Sequence, residues 1–258
     1  MQTNSGEPYG AAHLVERQML LHEARDKAAR ASPTEKPDLH YRFITLSRDI
    51  GSLGDTIARD LAQRLGWAVV DREIVDHIAR DSHVRQGLVH QLDERTQSLV
   101  HETIQRFLRM AEGGSFGVAE YRESLLKTMA YLSARGEAIL VGRGANFALR
   151  GEGKGLHVRI VASPGVRAQR LSLRWHVSPA EAHWRMEELD TERRSFIRHL
   201  YRKNIDDPCF YDLVFCTDYS LPAQVVEAIL SVMGIVPESR EVAPKVSVGH
   251  VAAAGASS

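Results

Sequence analysis

Short apolar runs alternate with longer amphipathic segments through the middle of the chain. The short runs have strand length and end at glycine or aspartate, whereas the longer segments repeat apolar residues at helical spacing. Predicted strands are Phe43 to Ser47, Trp67 to Val70, Ala138 to Gly142, Leu156 to Ala162 and Asp212 to Cys216. Predicted helices are Asp55 to Leu65, the segment from Asp71 to Ala79, segments within 88–135 interrupted at Gly113, and helices beginning after Ser163, after Ser178 and at about Pro222. This alternation predicts a three-layer α/β fold with a five-stranded, mainly parallel sheet.

The two ends of the chain differ from this middle part. Residues 1–40 contain one helical pattern, about Ala11 to Ala31, followed by prolines at 33 and 37 that end it. We expect a helical appendage there, with the helix as a candidate docking segment for a protein partner. Residues 41–236 form the main domain, and residues 237–258 have little to bury, which predicts a disordered tail.

Composition excludes several classes of function. Thirty-three basic residues balance 33 acidic ones, so no overall field attracts nucleic acid or an acidic membrane. No apolar run approaches the roughly 20 residues needed to cross a bilayer, and Glu7 and Glu16 interrupt any signal-peptide pattern. We therefore expect a cytoplasmic protein. Cys209 and Cys216 are able to pair in principle, but in a reducing cytosol we expect free thiols rather than a disulfide or a metal site.

The first strand runs into a glycine- and serine-rich loop and then directly into a helix, in the sequence TLSRDIGSLGDTIA from Thr45 to Ala58. This layout places backbone N–H groups and a helix N-terminus around a phosphate, which glycines allow to approach closely. A strict phosphate loop, GxxxxGK[ST], adds a lysine for the β- and γ-phosphates. Here the lysine is missing, and Arg48 is expected to replace part of it. Candidate phosphate ligands are Ser47, Arg48, Gly51, Ser52, Gly54 and Thr56. The alternative is a tight turn that binds nothing.

Two further features follow predicted strands. They are Asp71, and Arg143 between Gly142 and Gly144. Ligands of parallel α/β sheets bind at the carboxyl ends of strands, so both are candidate site residues. The alternatives are that Asp71 only caps the next helix and that Arg143 is a surface turn residue.

A long helix is predicted from the capping box at Ser178 to about Lys203. Asp190, Arg194, Arg198 and Arg202 form one row at i, i+4 spacing, whereas Arg193 falls among the apolar positions Leu189, Phe196 and Leu200. A buried unpaired guanidinium is costly, so Arg193 needs an anionic partner. That partner is either a carboxylate, such as Asp190 or Glu192, or a phosphate group of a ligand.

Six segments, in their order and spacing, resemble the cytidylate kinase-like family, relatives of the bacterial nucleoside-monophosphate kinases. They are SRDIGSLGDTIA at 47–58, VVDREIV at 69–75, GRGAN at 142–146, VASPGVRAQR at 161–170, DTERRSF at 190–196 and DDPCFYDLVF at 206–215. The resemblance spans about Phe43 to Met233. It implies a P-loop kinase fold with a helical insertion for the monophosphate and a lid, ATP with Mg²⁺ as donor, and a pyrimidine nucleoside monophosphate, CMP first, as acceptor.

The resemblance also implies roles for individual residues. The backbone over 50–56 would hold donor phosphates, with Thr56 or Ser52 as the hydroxyl near the metal. Asp71 and Arg143 would face the acceptor nucleotide, and Arg143 would also assist catalysis. Arg193, with Arg194 or Arg198, resembles lid arginines that neutralise the transferred group, and Arg198 is also a candidate substrate ligand.

The loop departs from the family pattern at two positions. Leu53 stands where relatives have glycine, and Asp55 stands where they often have a basic residue. An acidic residue there repels a triphosphate, although it also favours a helix start. Three hypotheses therefore stay open: a nucleoside monophosphate kinase, a nucleotide-binding sensor or pseudokinase with little turnover, and a structural domain.

Overall fold

The fold is described by a computed structural model over residues 40–80, 97–98, 101, 104–105, 116–151 and 153–235. Its strands are β1 (Phe43–Arg48), β2 (Ala68–Val70), β3 (Ala138–Val141), β4 (Gly155–Val161) and β5 (Leu213–Cys216). They form one sheet in the order β2-β3-β1-β4-β5, in which every neighbouring pair is parallel. The predicted α/β class and five-stranded parallel sheet are confirmed.

Helices connect the strands and cover both faces of the sheet. They are α1 (Gly54–Leu65), α2 (Arg72–Arg80), α3 (Phe116–Arg135), α4 (Ala145–Ala148), α5 (Pro164–Trp175), α6 (Pro179–Tyr201) and α7 (Pro222–Val232), with a 3₁₀ turn at Pro208–Phe210. Most bounds differ from the predicted ones by one or two residues, whereas α4 was not predicted. The predicted N-terminal helix, the tail at 237–258 and most of the segment 88–115 lie outside the described residues.

Strands β1, β2 and β3 each contribute to two cores because successive side chains point to opposite faces, whereas β4 and β5 contribute apolar side chains to one of them. Ile44 and Leu46 of β1 belong to one cluster, which α1 and α7 cover, and Phe43 belongs to the other, which α2, α3 and α6 cover. The described helices include none that is both long and apolar enough to span a membrane.

A polar stripe interrupts the apolar pattern between β1 and β4. Thr45 lies opposite His157, and Ser47 lies opposite Arg159. Each of these side chains is buried, at 8% exposure or less, and each pair is hydrogen-bonded. Buried polar groups need such partners, and this stripe leads to the carboxyl ends of the two strands.

Candidate active site

A cavity of about 240 Å³ opens at the carboxyl ends of β1 and β3, beside α6. Its lining residues are Thr45, Leu46, Ser47, Arg48, Arg72, Gly142, Arg143, Gly144, Ala145, Asn146, Leu189, Glu192, Arg193, Phe196, Ile197 and Ile205. The structure thus brings Ser47, Arg48, Arg143 and Arg193 together, as candidates from three separate sequence segments.

The loop between β1 and α1 is fastened through its carbonyl groups. The carbonyl of Ile50 accepts a hydrogen bond from Arg167 Nη1 at 3.3 Å, and that of Gly51 accepts one from Arg170 Nη1 at 3.3 Å. The carbonyl of Ser52 accepts one from the Thr217 hydroxyl at 2.9 Å. Side chains of α5 and of the residue after β5 therefore hold the loop in place.

Several backbone amide groups of the same loop, in contrast, lack a hydrogen-bond acceptor. The N–H groups of Gly51, Leu53, Gly54 and Asp55 have no backbone or side-chain acceptor among the described residues. The last two open α1, where a helix always leaves its first amides without an intrahelical partner. Free amides at a helix N-terminus favour an anion such as phosphate.

The glycines of this loop are closely surrounded by protein atoms, so they are required for packing whether or not a phosphate binds there. A Cβ on Gly51, whose φ is +78°, would lie 3.0 Å from Leu171 Cγ and 3.1 Å from the Arg167 carbonyl oxygen. A Cβ on Gly54 would lie 2.5 Å from Arg48 Cβ. Both glycines are needed for packing against α5 and against the side chain of Arg48.

The two candidate hydroxyls of the loop differ in access. Ser52 is fully buried, and its hydroxyl donates to the carbonyl of Asp49 at 2.8 Å. Thr56 is partly exposed, and its hydroxyl accepts from Arg59 Nη2 at 3.4 Å. Thr56 is therefore the hydroxyl that a ligand is able to reach.

Arg48 forms an ion pair with Asp55, the acidic residue at which the loop departs from the family pattern. Its Nε donates to Asp55 Oδ1 at 2.9 Å, so the acidic residue is paired within the loop segment. A Cβ on Gly142 would lie 2.8 Å from Arg48 Nη1, which places the guanidinium over the turn after β3. Arg48 thus spans the distance between the loop and the turn that carries Arg143.

Arg143 occupies that turn in a left-handed conformation, with φ +51°, which is uncommon for a residue other than glycine. Its Nε donates to Asp76 Oδ1 at 2.7 Å, and its Nη2 donates to Asp76 Oδ2. The ring of Phe196 lies 4.6 Å from the guanidinium, and the Tyr201 hydroxyl donates to the Arg143 carbonyl at 2.7 Å. Arg143 is therefore held in place beside the cavity and is not a free surface turn residue.

Arg193 has an incomplete set of partners. Its Nη1 lies 3.5 Å from Asp190 Oδ1, but this buried nitrogen makes no hydrogen bond with any described residue. Burial and the nearby charge of Arg48 lower the pKa of Arg193, and Asp190 opposes them. Asp190, a carboxylate partner proposed from the sequence, therefore lies close to Arg193. Arg193, which lines the cavity, nevertheless keeps an N–H donor without an acceptor among the described residues.

Asp190, the first residue of the charged row on α6, is buried. This residue is 5% exposed, and its Oδ2 accepts a hydrogen bond from the buried Arg167 at 2.5 Å. The reason is that α5 packs against α6 and brings Arg167 to the face that carries Asp190.

The other predicted site residues lie outside the cavity lining: Gly51, Ser52, Gly54 and Thr56 of the loop, and Asp71, Arg194 and Arg198. Arg194 is 3.7 Å from Glu187 Oε2, and Arg198 is exposed. Asp71 Oδ1 accepts the N–H groups of residues 73 and 74 at 3.0 and 3.1 Å. The alternative interpretation of Asp71, that it caps α2, is confirmed.

Arg159 is a residue of the site region that sequence reasoning missed. It is 5% exposed and donates to Ser47 Oγ at 3.0 Å, Asp49 Oδ1 at 2.9 Å and Asp206 Oδ1 at 2.7 Å. Burial raises the pKa of Asp49, and Arg159 and then Arg167 oppose the shift. The available signal was an arginine within the apolar run of β4. Arg159 connects the first loop, through Asp49, to the segment that follows α6, through Asp206.

Mg²⁺ fits this region only together with a nucleotide. The part of the chain that the structure describes contains no group of three or more His, Cys, Asp or Glu side chains able to hold a metal ion. Protein-bound Mg²⁺ usually keeps several waters and uses one or two protein oxygens plus substrate phosphates. Thr56 is the candidate protein oxygen.

The parallel sheet, the glycine-rich loop before α1 and the cavity at the strand ends define an α/β protein with a candidate ligand site at the carboxyl ends of its strands. A family model described as the cytidylate kinase-like family matches residues 43–219. The chain belongs to that family, which supports nucleotide kinase chemistry as a class. A comparison with curated protein sequences found no match.

Solved structures give a more distant likeness. An uncharacterized protein from Eubacterium ventriosum ATCC 27560 has 16% identity and a TM-score of 0.55, covering 74% of this chain and 98% of that one. This likeness shows the fold alone. Two further structures are more remote. Shikimate kinase from Acinetobacter baumannii has 17% identity and a TM-score of 0.39, covering 75% of this chain and 93% of that one. The YorR protein from Bacillus subtilis has 13% identity and a TM-score of 0.40, covering 75% of this chain and 96% of that one. At TM-scores below 0.5 these two carry no argument.

Proposed function

We propose that this protein transfers the γ-phosphoryl group of ATP, bound with Mg²⁺, to a pyrimidine nucleoside monophosphate, with CMP as the first candidate. The observation that carries the proposal is the convergence of Arg48, Arg143 and Arg193 on one cavity beside a loop with uncommitted amides. Phosphoryl transfer depends on positioning and on compensation of phosphate charge, and this arrangement supplies both.

In this proposal each arginine meets a different part of the reactants. Arg143 binds the acceptor, Arg48 and the loop amides bind the donor phosphates, and Arg193 compensates charge on the group in transfer. An acceptor phosphate oxygen forms a bond to the γ-phosphorus while the bond from that phosphorus to the β–γ bridging oxygen breaks. ADP leaves with that bridging oxygen, and no covalent protein intermediate forms.

A second candidate function is a nucleotide sensor or pseudokinase with little turnover. Two observations favour it: the loop has no lysine, and the guanidinium of Arg48 is paired with Asp55. A phosphate ligand would compete with that carboxylate for Arg48, so binding without efficient transfer is physically consistent.

One experiment separates the two functions. The full chain is incubated with ATP, Mg²⁺ and each nucleoside monophosphate in turn, and product formation and thermal shift are measured in parallel. Diphosphate product with a pyrimidine monophosphate supports the kinase. A thermal shift without product supports the sensor, and neither signal with any nucleotide rejects both.

A further inference from the structure

The guanidinium of Arg143 is held along one edge only. Its Nε and Nη2 donate to the two carboxylate oxygens of Asp76, and both side chains are largely buried, at 14% and 13% exposure. A guanidinium carries five N–H donors. No described residue accepts from Nη1, so this edge is uncommitted on a side chain that lines the cavity.

Asp76 is itself fixed by a neighbouring helix. The Tyr121 hydroxyl of α3 donates to Asp76 Oδ1 at 2.8 Å. Burial and then this hydrogen bond raise the pKa of Tyr121 to about 12. The carboxylate of Asp76 therefore has little freedom to rotate away from Arg143.

The opposite side of Arg143 contacts α6. The ring of Phe196 lies 4.6 Å from the guanidinium, and the Tyr201 hydroxyl donates to the Arg143 carbonyl. A side chain on Gly144 would overlap the ring of Tyr201. Arg143 is thus held between α2 and α6, through contacts of both its side chain and its backbone.

We propose that Asp76 is a positioning residue for the acceptor site, which holds Arg143 by the Nε and Nη2 edge so that Nη1 faces the acceptor anion. The inference rests on the proposed function, because it concerns the ligand proposed for Arg143. The alternative is that Asp76 competes with the acceptor anion for the guanidinium of Arg143. In that case an unpaired Arg143 would bind the anion more strongly. The contact geometry argues against competition, because a two-point pair on one edge leaves the remaining donors available.

The two roles predict opposite effects of Asp76→Asn, which keeps the shape and removes the charge. If Asp76 positions Arg143, CMP binding measured by calorimetry without donor weakens, and kcat/KM for CMP falls about 10- to 100-fold, as for a misplaced positioning group. The KM for ATP stays unchanged. Tyr121→Phe, which removes only the hydroxyl, gives a smaller loss in the same direction.

Glu123→Gln is the matched control. It neutralises a partly exposed acid on α3 that pairs with Lys127 at 2.5 Å, away from the cavity lining, and it should leave CMP binding unchanged. Tighter or equal CMP binding by Asp76→Asn overturns the positioning role while leaving the proposed function intact. Should that variant not fold, unchanged CMP affinity in Tyr121→Phe overturns it, and a weakened affinity supports it. Wild-type protein that binds no nucleoside monophosphate rejects the proposed function and this inference together.

Discussion

The three arginines of the cavity differ in how fully their charges are compensated. Arg143 has both oxygens of one carboxylate, and Arg48 has one short contact with Asp55. Arg193 has only a 3.5 Å contact with Asp190 and a buried nitrogen without a hydrogen bond. Arg193 is consequently the arginine that gains most from an incoming anion.

Replacing Arg193 with methionine tests whether that anion is the transferred phosphoryl group. By analogy with arginine fingers, we expect kcat to fall by about 10³-fold or more. Thermal stability should hold or rise, because Asp190 keeps its 2.5 Å contact with Arg167 and is not left unpaired. Steady-state kinetics and thermal melting of Arg193→Met measure the two effects.

The control for Arg193→Met is Arg185→Met, which removes an exposed arginine of the same helix that pairs with Glu181. It should change neither quantity. A marked fall in melting temperature of Arg193→Met, with turnover per folded molecule preserved, would show that Arg193 is a structural ion pair.

Arg48 offers a second test, because it is expected to replace part of the missing loop lysine. Arg48→Ala should weaken ATP binding more than ADP binding, since a planar guanidinium that reaches the terminal phosphate contributes only to the triphosphate. Calorimetric titration with both nucleotides gives the ratio, and Arg64→Ala, at the far end of α1, is the control. Equal losses for ATP and ADP would mean that Arg48 does not reach the terminal phosphate.

Among the elements, β1 and β4 hold the site together through the polar side chains between them. His157 of β4 is 2% exposed, and its Nδ1 lies 2.8 Å from the Thr45 hydroxyl of β1. Burial lowers the pKa of His157 from 6.5 to about 4, although Asp212 opposes the shift. The folded protein therefore holds this imidazole neutral at a pH where the unfolded chain protonates it.

The pH dependence of stability follows from that difference. Between pH 6.5 and 4 the unfolded chain binds more protons at His157 than the folded protein, so the stability present above pH 6.5 is lost as pH falls. The loss attributable to this group is about 3 kcal/mol. Urea unfolding across this range should show a steeper decline for wild type than for His157→Gln. Parallel curves would show that His157 does not titrate differently on folding.

The helix α5 determines the shape of the loop as much as the loop sequence does. Leu171 and the Arg167 carbonyl occupy the space beside Gly51, and two arginines of α5 hold the carbonyls of Ile50 and Gly51. A substitution such as Gly51→Val therefore destabilises the packing of α5, and loss of nucleotide binding in that variant would not by itself locate a phosphate.

For the molecule as a whole, the fold was predictable from local patterns, and much of the site was not. Apolar periodicity and glycine or aspartate at strand ends are local signals, and they located β1 to β5 as well as Arg48 and Arg143. The partner of Arg143 is Asp76, and the partner of Asp190 is Arg167. Such pairs join distant segments, so no local periodicity specifies them. Arg193 was found because its position broke the apolar pattern of its helix.

Arg159 links three parts of the molecule: the first loop through Asp49, the sheet through Ser47, and the segment after α6 through Asp206. Arg159→Leu leaves the largely buried Asp49 carboxylate without this partner, whereas Asp206 is half exposed. Breaking a buried pair in this way typically costs about 3 to 5 kcal/mol.

We expect Arg159→Leu to lower the free energy of unfolding by an amount in that range, measured by urea denaturation. The double variant Arg159→Leu/Asp49→Asn should recover part of the loss, because the stranded charge is then removed. Asp206→Asn added to Arg159→Leu should recover less, since water already reaches the carboxylate of Asp206. Equal recovery by both second substitutions would show that Asp49 is no more dependent on Arg159 than an exposed carboxylate is.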